Sequence, residues 1–210
     1  MTATTFPNDI DVGTPAVEAA QPERTAVAPP ARTAVRARRT FRLASGLGVA
    51  LAVVGVALLG VGNYTHDMIH DQLVSQQITF PPADSPGMTA EEYPGLQQYA
   101  GQLVDDGPKA KAWANQFMTP HILELSGGVP YGVFSAQAFM NPQDEQANAT
   151  SKLMAIGEVQ RGLLLSAWGW WTVGTVTWTA GLVMVILGGL ALVLAAIVRI
   201  RSPRADIANG

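Results

Sequence analysis

Two apolar stretches, Ala44–Val61 and Gly162–Val198, constrain this chain more than anything else in it. A helix needs about 20 apolar residues to cross a hydrocarbon core of roughly 30 Å; the first stretch meets that length and the second exceeds it. In lipid the backbone must satisfy its own hydrogen bonds, which leaves helices or closed barrels. The runs are too continuous for barrel strands, whose residues alternate between two faces. The expected fold is therefore all-α, with transmembrane helices over 44–64 and 172–198 and a helical and looped region over 65–165.

Charge orients the pair. Residues 24–43 carry six arginines (Arg24, Arg32, Arg36, Arg38, Arg39, Arg42) and no acid, and Arg199, Arg201 and Arg204 come after the second stretch. Between His66 and Arg161 stand four basic and eleven acidic residues, a net charge of −7 in a chain whose total is only −3. Arginine beside a span marks its cytoplasmic end. Both termini are expected in the cytoplasm and residues 65–168 or so outside it, with the lipid bilayer as the first partner. The same arginines suit anionic headgroups; nucleic acid is not expected as a partner. Some forty residues precede the first stretch and no small-x-small cleavage site comes after it, so it reads as an anchor rather than a signal peptide.

Residues 1–40 are rich in Ala, Thr, Pro and Arg with almost no large apolar side chains, which predicts a disordered cytoplasmic tail. Residues 199–210 form a second, short tail. After the first span, Tyr64 to Gln77 continues the helix until Phe80-Pro81-Pro82 stops it. Turn signals at Pro86-Gly87, Pro94-Gly95 and Asp106-Gly107 make 83–107 mostly irregular. Three helix starts lie beyond: Pro108 behind Asp105 and Asp106, Thr119-Pro120 as N-cap and N1, and Asn141-Pro142. Gly127-Gly128 closes the second of these helices. From the third start to Arg199 no proline intervenes, so a single helix near 85 Å long is expected at 1.5 Å per residue. Trp168, Trp170, Trp171 and Trp178 mark its outer interface with lipid. Trp113, Phe117, Ile122, Leu123 and Leu125 are the expected packing residues of an outer cap.

Both spans carry small residues at every seventh position: Gly48, Gly55 and Gly62 in the first, Ala167, Gly174, Gly181, Gly188 and Ala195 in the second. A seven-residue stripe faces one partner along a supercoil, and small residues on it let backbones approach where lipid supplies no hydrophobic drive. The two helices are expected to pack along this seam, within one chain or between copies. Neither span holds a charged residue within the bilayer, unlike the spans of most pumps and transporters.

Candidate chemical groups are few. The chain has no cysteine, so it has no disulfide and no thiolate. His66 and His70 are four residues apart on one helical face and could, with His121, ligate a metal or haem; a tight site needs three or four ligands. The bland alternative is a solvated turn near headgroups. No nucleotide, dinucleotide or hydrolase fingerprint appears, and no cofactor or catalytic residue is expected.

The run from His121 through Glu124, Ser126, Gly127 and Gly128 to Tyr131, with Gln72-Leu73 after the first span and Gln160-Arg161-Gly162 entering the second, resembles a family of small actinobacterial two-span membrane proteins. Val129-Pro130 and a longer stretch at 82–107 depart from that pattern. The resemblance implies a functionally uncharacterised envelope protein whose members are often labelled aromatic ring-opening dioxygenases. These residues do not support that label, because such an enzyme needs an open iron site of histidines and a carboxylate. The expected function is a non-catalytic accessory or scaffold subunit that meets another membrane protein or itself. A metal or haem redox protein and a homo-oligomeric pore are the alternatives.

Overall fold

A computed structural model describes the backbone of residues 31–201 and the side chains of residues 40–200. Of the tails expected at 1–40 and 199–210, residues 1–30 and 202–210 lie outside the described residues. The chain divides into two compact units, Met1–Arg38 and Arg39–Gly210, and the second holds the architecture of interest. Five α-helices are described: α1 (Ala31–Ser75), α2 (Gly107–Ala112), α3 (Thr119–Leu125), α4 (Tyr131–Met140) and α5 (Glu145–Arg201). A π-helical turn, Trp113–Met118, joins α2 to α3, and a short 3₁₀ turn spans Gln97–Tyr99. Among the described residues there is no strand, only an isolated antiparallel bridge between Thr79 and Leu103.

The helices α1 and α5 are long and apolar enough to cross a membrane. Their most apolar windows have mean hydropathies of 2.3 and 2.8, yet only 11% and 17% of those windows is buried. A soluble protein's core helix of this composition would be mostly buried, so the exposure favours lipid contact. The polar groups on the apolar part of α5 are locally satisfied. The hydroxyls of Thr172, Thr175 and Thr179 donate to the carbonyls of Trp168, Trp171 and Thr175, one turn back, as lipid requires.

The two helices meet glycine to glycine. A Cβ added at Gly55 would stand 2.7 Å from the Gly181 carbonyl oxygen, and one at Gly181 equally close to that of Gly55. Gly188 meets the Gly48 carbonyl at 2.7 Å and Gly62 meets that of Gly174 at 2.9 Å in the same sense. Each step of seven along α1 is matched by a step of seven backwards along α5, so the helices run antiparallel with their backbones in contact.

Between them, residues 76–144 fold against the ends of α1 and α5 that continue beyond the glycine contacts. Ile69 and Leu73 of α1 and Leu164 of α5 form the walls of a core completed by Phe80, Met88, Leu96, Val104, Ala110, Ala112 and Ala114. The irregular segment is pinned by backbone bonds from Phe80 N–H to the Gln102 carbonyl (2.9 Å) and from Val104 N–H to the Ile78 carbonyl (2.8 Å). Asp106 caps α2, its carboxylate accepting from Lys109 N–H at 2.8 Å. Gly107 lies so tightly against Trp171 of α5 that a side chain there would collide with it. Further along, Gly157 of α5 receives Ile122 of α3.

Several expectations need correction. Residues 31–40, expected to be disordered, are helical; beyond Pro30 they hold good helix formers and no proline, so α1 begins there. Helix α1 ends at Ser75, with Gln77 left-handed at φ 53°, before the Phe80-Pro81-Pro82 stop is reached. Thr119 is no N-cap: its φ and ψ are helical (−58°, −49°) and its hydroxyl donates back to the Ala114 carbonyl at 3.0 Å. Pro120 lacks the N–H that a helix would use, and widening to a π-turn carries the chain past it without a break. Helix α5 starts at Glu145, not at Asn141-Pro142, because Asp144 is the capping side chain, accepting from Ala147 N–H at 2.9 Å. Leu125 is exposed rather than packed. No local pattern announces helix α4, which lacks an N-capping side chain and strong amphipathic spacing and is held by its packing on α5.

The glycine contacts yield a direct test. Gly55→Ala and Gly181→Ala should each lower the melting temperature in detergent by several degrees, reflecting about 1–3 kcal/mol of overpacking. Gly60→Ala, where nothing lies within 4 Å, should leave it level or slightly higher. Equal effects at all three positions would remove the seam as the determinant of packing.

Candidate functional site

The three histidines serve three different joints. His66 lies between α1 and α5 and stacks on Trp171 with ring centroids 4.3 Å apart. Its Nε2 is 3.1 Å from both the Trp171 carbonyl and the Thr175 hydroxyl, so Nε2–H donates across the helix interface. Gly174 makes the room, since a Cβ there would meet the imidazole at 2.9 Å. His70, one turn on, donates from Nδ1–H to the Asp105 carbonyl at 2.8 Å and ties α1 to the segment that enters α2. His121 donates from Nδ1–H to the Phe117 carbonyl at 2.7 Å, one turn back along its own stretch of chain. The structure does not gather them: among the described residues no three His, Asp or Glu side chains stand where they could hold one metal ion.

An aromatic ladder runs through the region instead. Tyr99 stacks on Phe80 (5.4 Å), Phe80 meets the edge of Trp113 (4.9 Å), and Trp113, Phe117 and His121 continue it at 4.4 and 4.5 Å. Tyr93 stacks over His121 from the loop at 6.1 Å. Burial, then the negative charges of Glu92 and Glu124, push the Tyr93 phenol above its ordinary value of 10.0. Charged groups reinforce the same joints. Lys109 bonds Asp105 at 2.7 Å, and that bond above all raises its pKa beyond the usual lysine value. Lys111 sits 4.2 Å over the Trp168 ring, a cation–π contact that links α2 to α5. Arg161 of α5 donates to Asn115 Oδ1 and to Glu158, each at 3.2 Å, while its Nε is buried without a hydrogen-bond partner.

Beside the ladder lies an open groove of about 540 Å³ between α3 and α5. Phe117, Ile122, Leu125 and Leu153 make its apolar surface, with His121 and Glu124 at the margin. It offers room for an apolar group and one carboxylate, with no nucleophile beside a base. The motif residues around it are architectural. The Gly128 and Gly127 N–H groups bond to the Leu123 and Glu124 carbonyls at 2.8 and 3.1 Å, with left-handed φ of 93° and 68°. That is a Schellman closure of α3. Ser126 Oγ bonds to the carbonyls of Leu123 and Val129 across the turn, and Tyr131 opens α4. Sequence reasoning missed the parts played by Tyr93, Asn115 and Arg161, because their partners lie in distant segments that carry no local pattern. Comparison with known proteins adds no relative: no family model, no curated protein and no solved structure matches this chain.

Two of these contacts can be measured directly. His66→Phe keeps a ring against Trp171 but removes the interhelical donor, and should cost about 0.6–1.7 kcal/mol in a detergent unfolding series. For Tyr93, the folded pKa is raised, so its contribution to stability is complete below pH 10.0 and falls as pH rises through the folded value. Among the four tyrosines, Tyr93 should show delayed ionisation in the ultraviolet titration, and Tyr93→Phe should remove that step and flatten the alkaline loss.

Proposed function

We propose that this protein is a non-catalytic, two-span membrane protein that holds a rigid helical cap outside the cytoplasm as a docking platform. It would act as an accessory or scaffold subunit of a cell-envelope or membrane complex. The observation that carries the reading is the use made of the cap's polar and aromatic groups. Each histidine donates to a backbone carbonyl, Lys109 joins the cap to itself, and Lys111 and Arg161 join it to α5. These groups are taken up in holding the hairpin and the cap together, His70, Lys111 and Arg161 across the joint between them, whereas the apolar groove is left open. Large exposed apolar surface on a membrane-anchored domain is a mark of association.

The arrangement with both termini cytoplasmic rests on the arginine flanks and the acidic middle. The resemblance to uncharacterised two-span membrane proteins fits the same layout. No observation in the structure favours a haem, a metal centre or a pore over this reading.

The absence of native cysteine makes both parts testable with single-cysteine variants. An impermeant maleimide added to intact cells should label Ala83→Cys and spare Ser202→Cys until the membrane is opened; the reverse pattern would invert the topology. Protein purified in mild detergent should carry no stoichiometric metal and no haem absorption, and should retain a specific protein partner. A stoichiometric metal, or a haem band lost in His66→Ala and His70→Ala, would replace the scaffold reading with a redox one.

A further inference from the structure

Beyond the glycine seam, a pocket of about 340 Å³ lies between α1 and α5. Met68, Gln72 and Gln76 line it from the end of α1, and Leu163, Ser166 and Trp170 line it from α5. Leu73 and Leu164 make its floor, and the same two side chains belong to the cap core behind it. The cap itself supplies no lining residue. On α1, His70 turns to the cap, while Met68, Gln72 and Gln76 recur at steps of four on the other side. Leu163 and Trp170 are 63% and 56% exposed, so no described side chain fills the space. Its volume falls within the roughly 300–1,000 Å³ usual for small-molecule sites.

Depth and polarity identify the occupant. On the two-span reading the hydrocarbon ends near residues 64 and 172. At 1.5 Å per residue, Trp170 and Met68 stand roughly 3–6 Å beyond it, and Gln72 and Gln76 roughly 12–18 Å. Headgroups occupy about 5–8 Å on each side of the hydrocarbon. The apolar end of the pocket therefore opens at headgroup depth, where tryptophan is favoured, and its carboxamide end stands above. Apolar inward and polar outward is the polarity of a lipid in the outer leaflet. A phosphodiester headgroup falls short of the two glutamines, and no lining residue carries a charge to receive its phosphate. The net charge of −7 over residues 66–161 also disfavours an anion. A glycosyl headgroup reaches that height without charge. Each carboxamide offers sugar hydroxyls two donor hydrogens and an acceptor. Among the described residues neither Gln72 nor Gln76 has a side-chain hydrogen bond, whereas Gln97, Gln98 and Gln102 bond to backbone carbonyls.

We infer that this pocket binds the glycosyl headgroup of an outer-leaflet glycolipid, with Gln72 and Gln76 on the sugar hydroxyls and Met68, Leu163 and Trp170 against its apolar face and glycerol end. This deepens the platform reading and rests on its two-span premise. A lipid held there would brace the hairpin on the side that the cap leaves uncovered.

Native mass spectrometry of the full chain released from nanodiscs tests the site. Discs of phosphatidylcholine with equal amounts of diglucosyl diacylglycerol and phosphatidylglycerol should release the chain with a single diglucosyl lipid, about ten-fold more often than with phosphatidylglycerol. Replacing both glutamines (Gln72→Ala with Gln76→Ala) should cut that adduct about ten-fold, as the loss of two hydrogen bonds implies. Ser166→Phe, which fills the pocket, should abolish it. All three positions are exposed, so the detergent melting temperature should stay within a few degrees. Equal retention of the two lipids, or retention indifferent to these substitutions, would overturn the site. So would a doubled chain mass lost in Ser166→Phe, which would assign the pocket to a second copy. Flotation of the chain with carbonate-washed vesicles reads the two-span premise separately: a chain that floats but keeps no glycolipid rejects the lipid site alone.

Discussion

The structure depends on the approach of two backbones at three glycine pairs. In lipid an apolar side chain gains little by leaving acyl chains for a neighbouring helix, so helices associate by dense packing and short-range polar contacts. Glycine is the residue that lets carbonyl oxygens of α5 reach the α1 backbone, at Gly48, Gly55 and Gly62. Because the approach is periodic on both helices, it fixes antiparallel register as well as distance. A slip of one residue along α1 would set Leu47, Val54 and Val61, or Val49, Val56 and Asn63, against these carbonyls. Register in turn decides which residues meet outside the seam. Beyond Gly62 and Gly174 the next pair is His66 and Trp171, and their stacking and hydrogen bond carry the helix pair out of its most apolar section.

The cap inherits its position from that register. Its core has no wall of its own on two sides, and Ile69, Leu73 and Leu164 supply them from the long helices. The tight fit of Gly107 to Trp171 and of Ile122 to Gly157 sets α2 and α3 at defined heights along α5. Polar contacts then hold the seams: His70 to the Asp105 carbonyl, Lys111 over Trp168, Arg161 to Asn115. These are modest singly, about 0.5–1.5 kcal/mol for a typical hydrogen bond, and each one links two elements rather than strengthening one. The irregular segment from Ile78 to Val104 can therefore be ordered with little secondary structure of its own.

How much of this is legible in the sequence depends on how local each signal is. The two long helices and their extension beyond the apolar runs are legible from continuous apolar composition and the lack of proline. The glycine spacing is legible as a pattern because it repeats, although only coordinates show which carbonyl each glycine admits. Asp106, Pro108 and the Gly127-Gly128 stop are read correctly because caps act within four residues. Reading fails where distant packing overrides a local cue. Thr119-Pro120 has the composition of a helix start, yet the chain enters it already helical, from the π-turn over Trp113–Met118 that carries Trp113 and Phe117 of the aromatic ladder. Phe80, Met88, Leu96 and Val104 are each isolated among turn residues, and nothing in their spacing marks them as a common core.

The division of α5 into two faces explains how a narrow helix can carry so much of this protein. Toward α1 its seam residues are small and their contribution is proximity; toward the cap Gly157, Leu164 and Trp171 receive other elements. Those contacts immobilise the cap without a large interior. A partner that docks on a surface already fixed loses less ordering entropy on binding than one that must organise a loop, and preorganisation of this kind raises affinity without added contact area. The apolar groove is bordered by α3, which the Schellman turn and Ile122 hold in place, and by α5, which runs on without a break into its most apolar section.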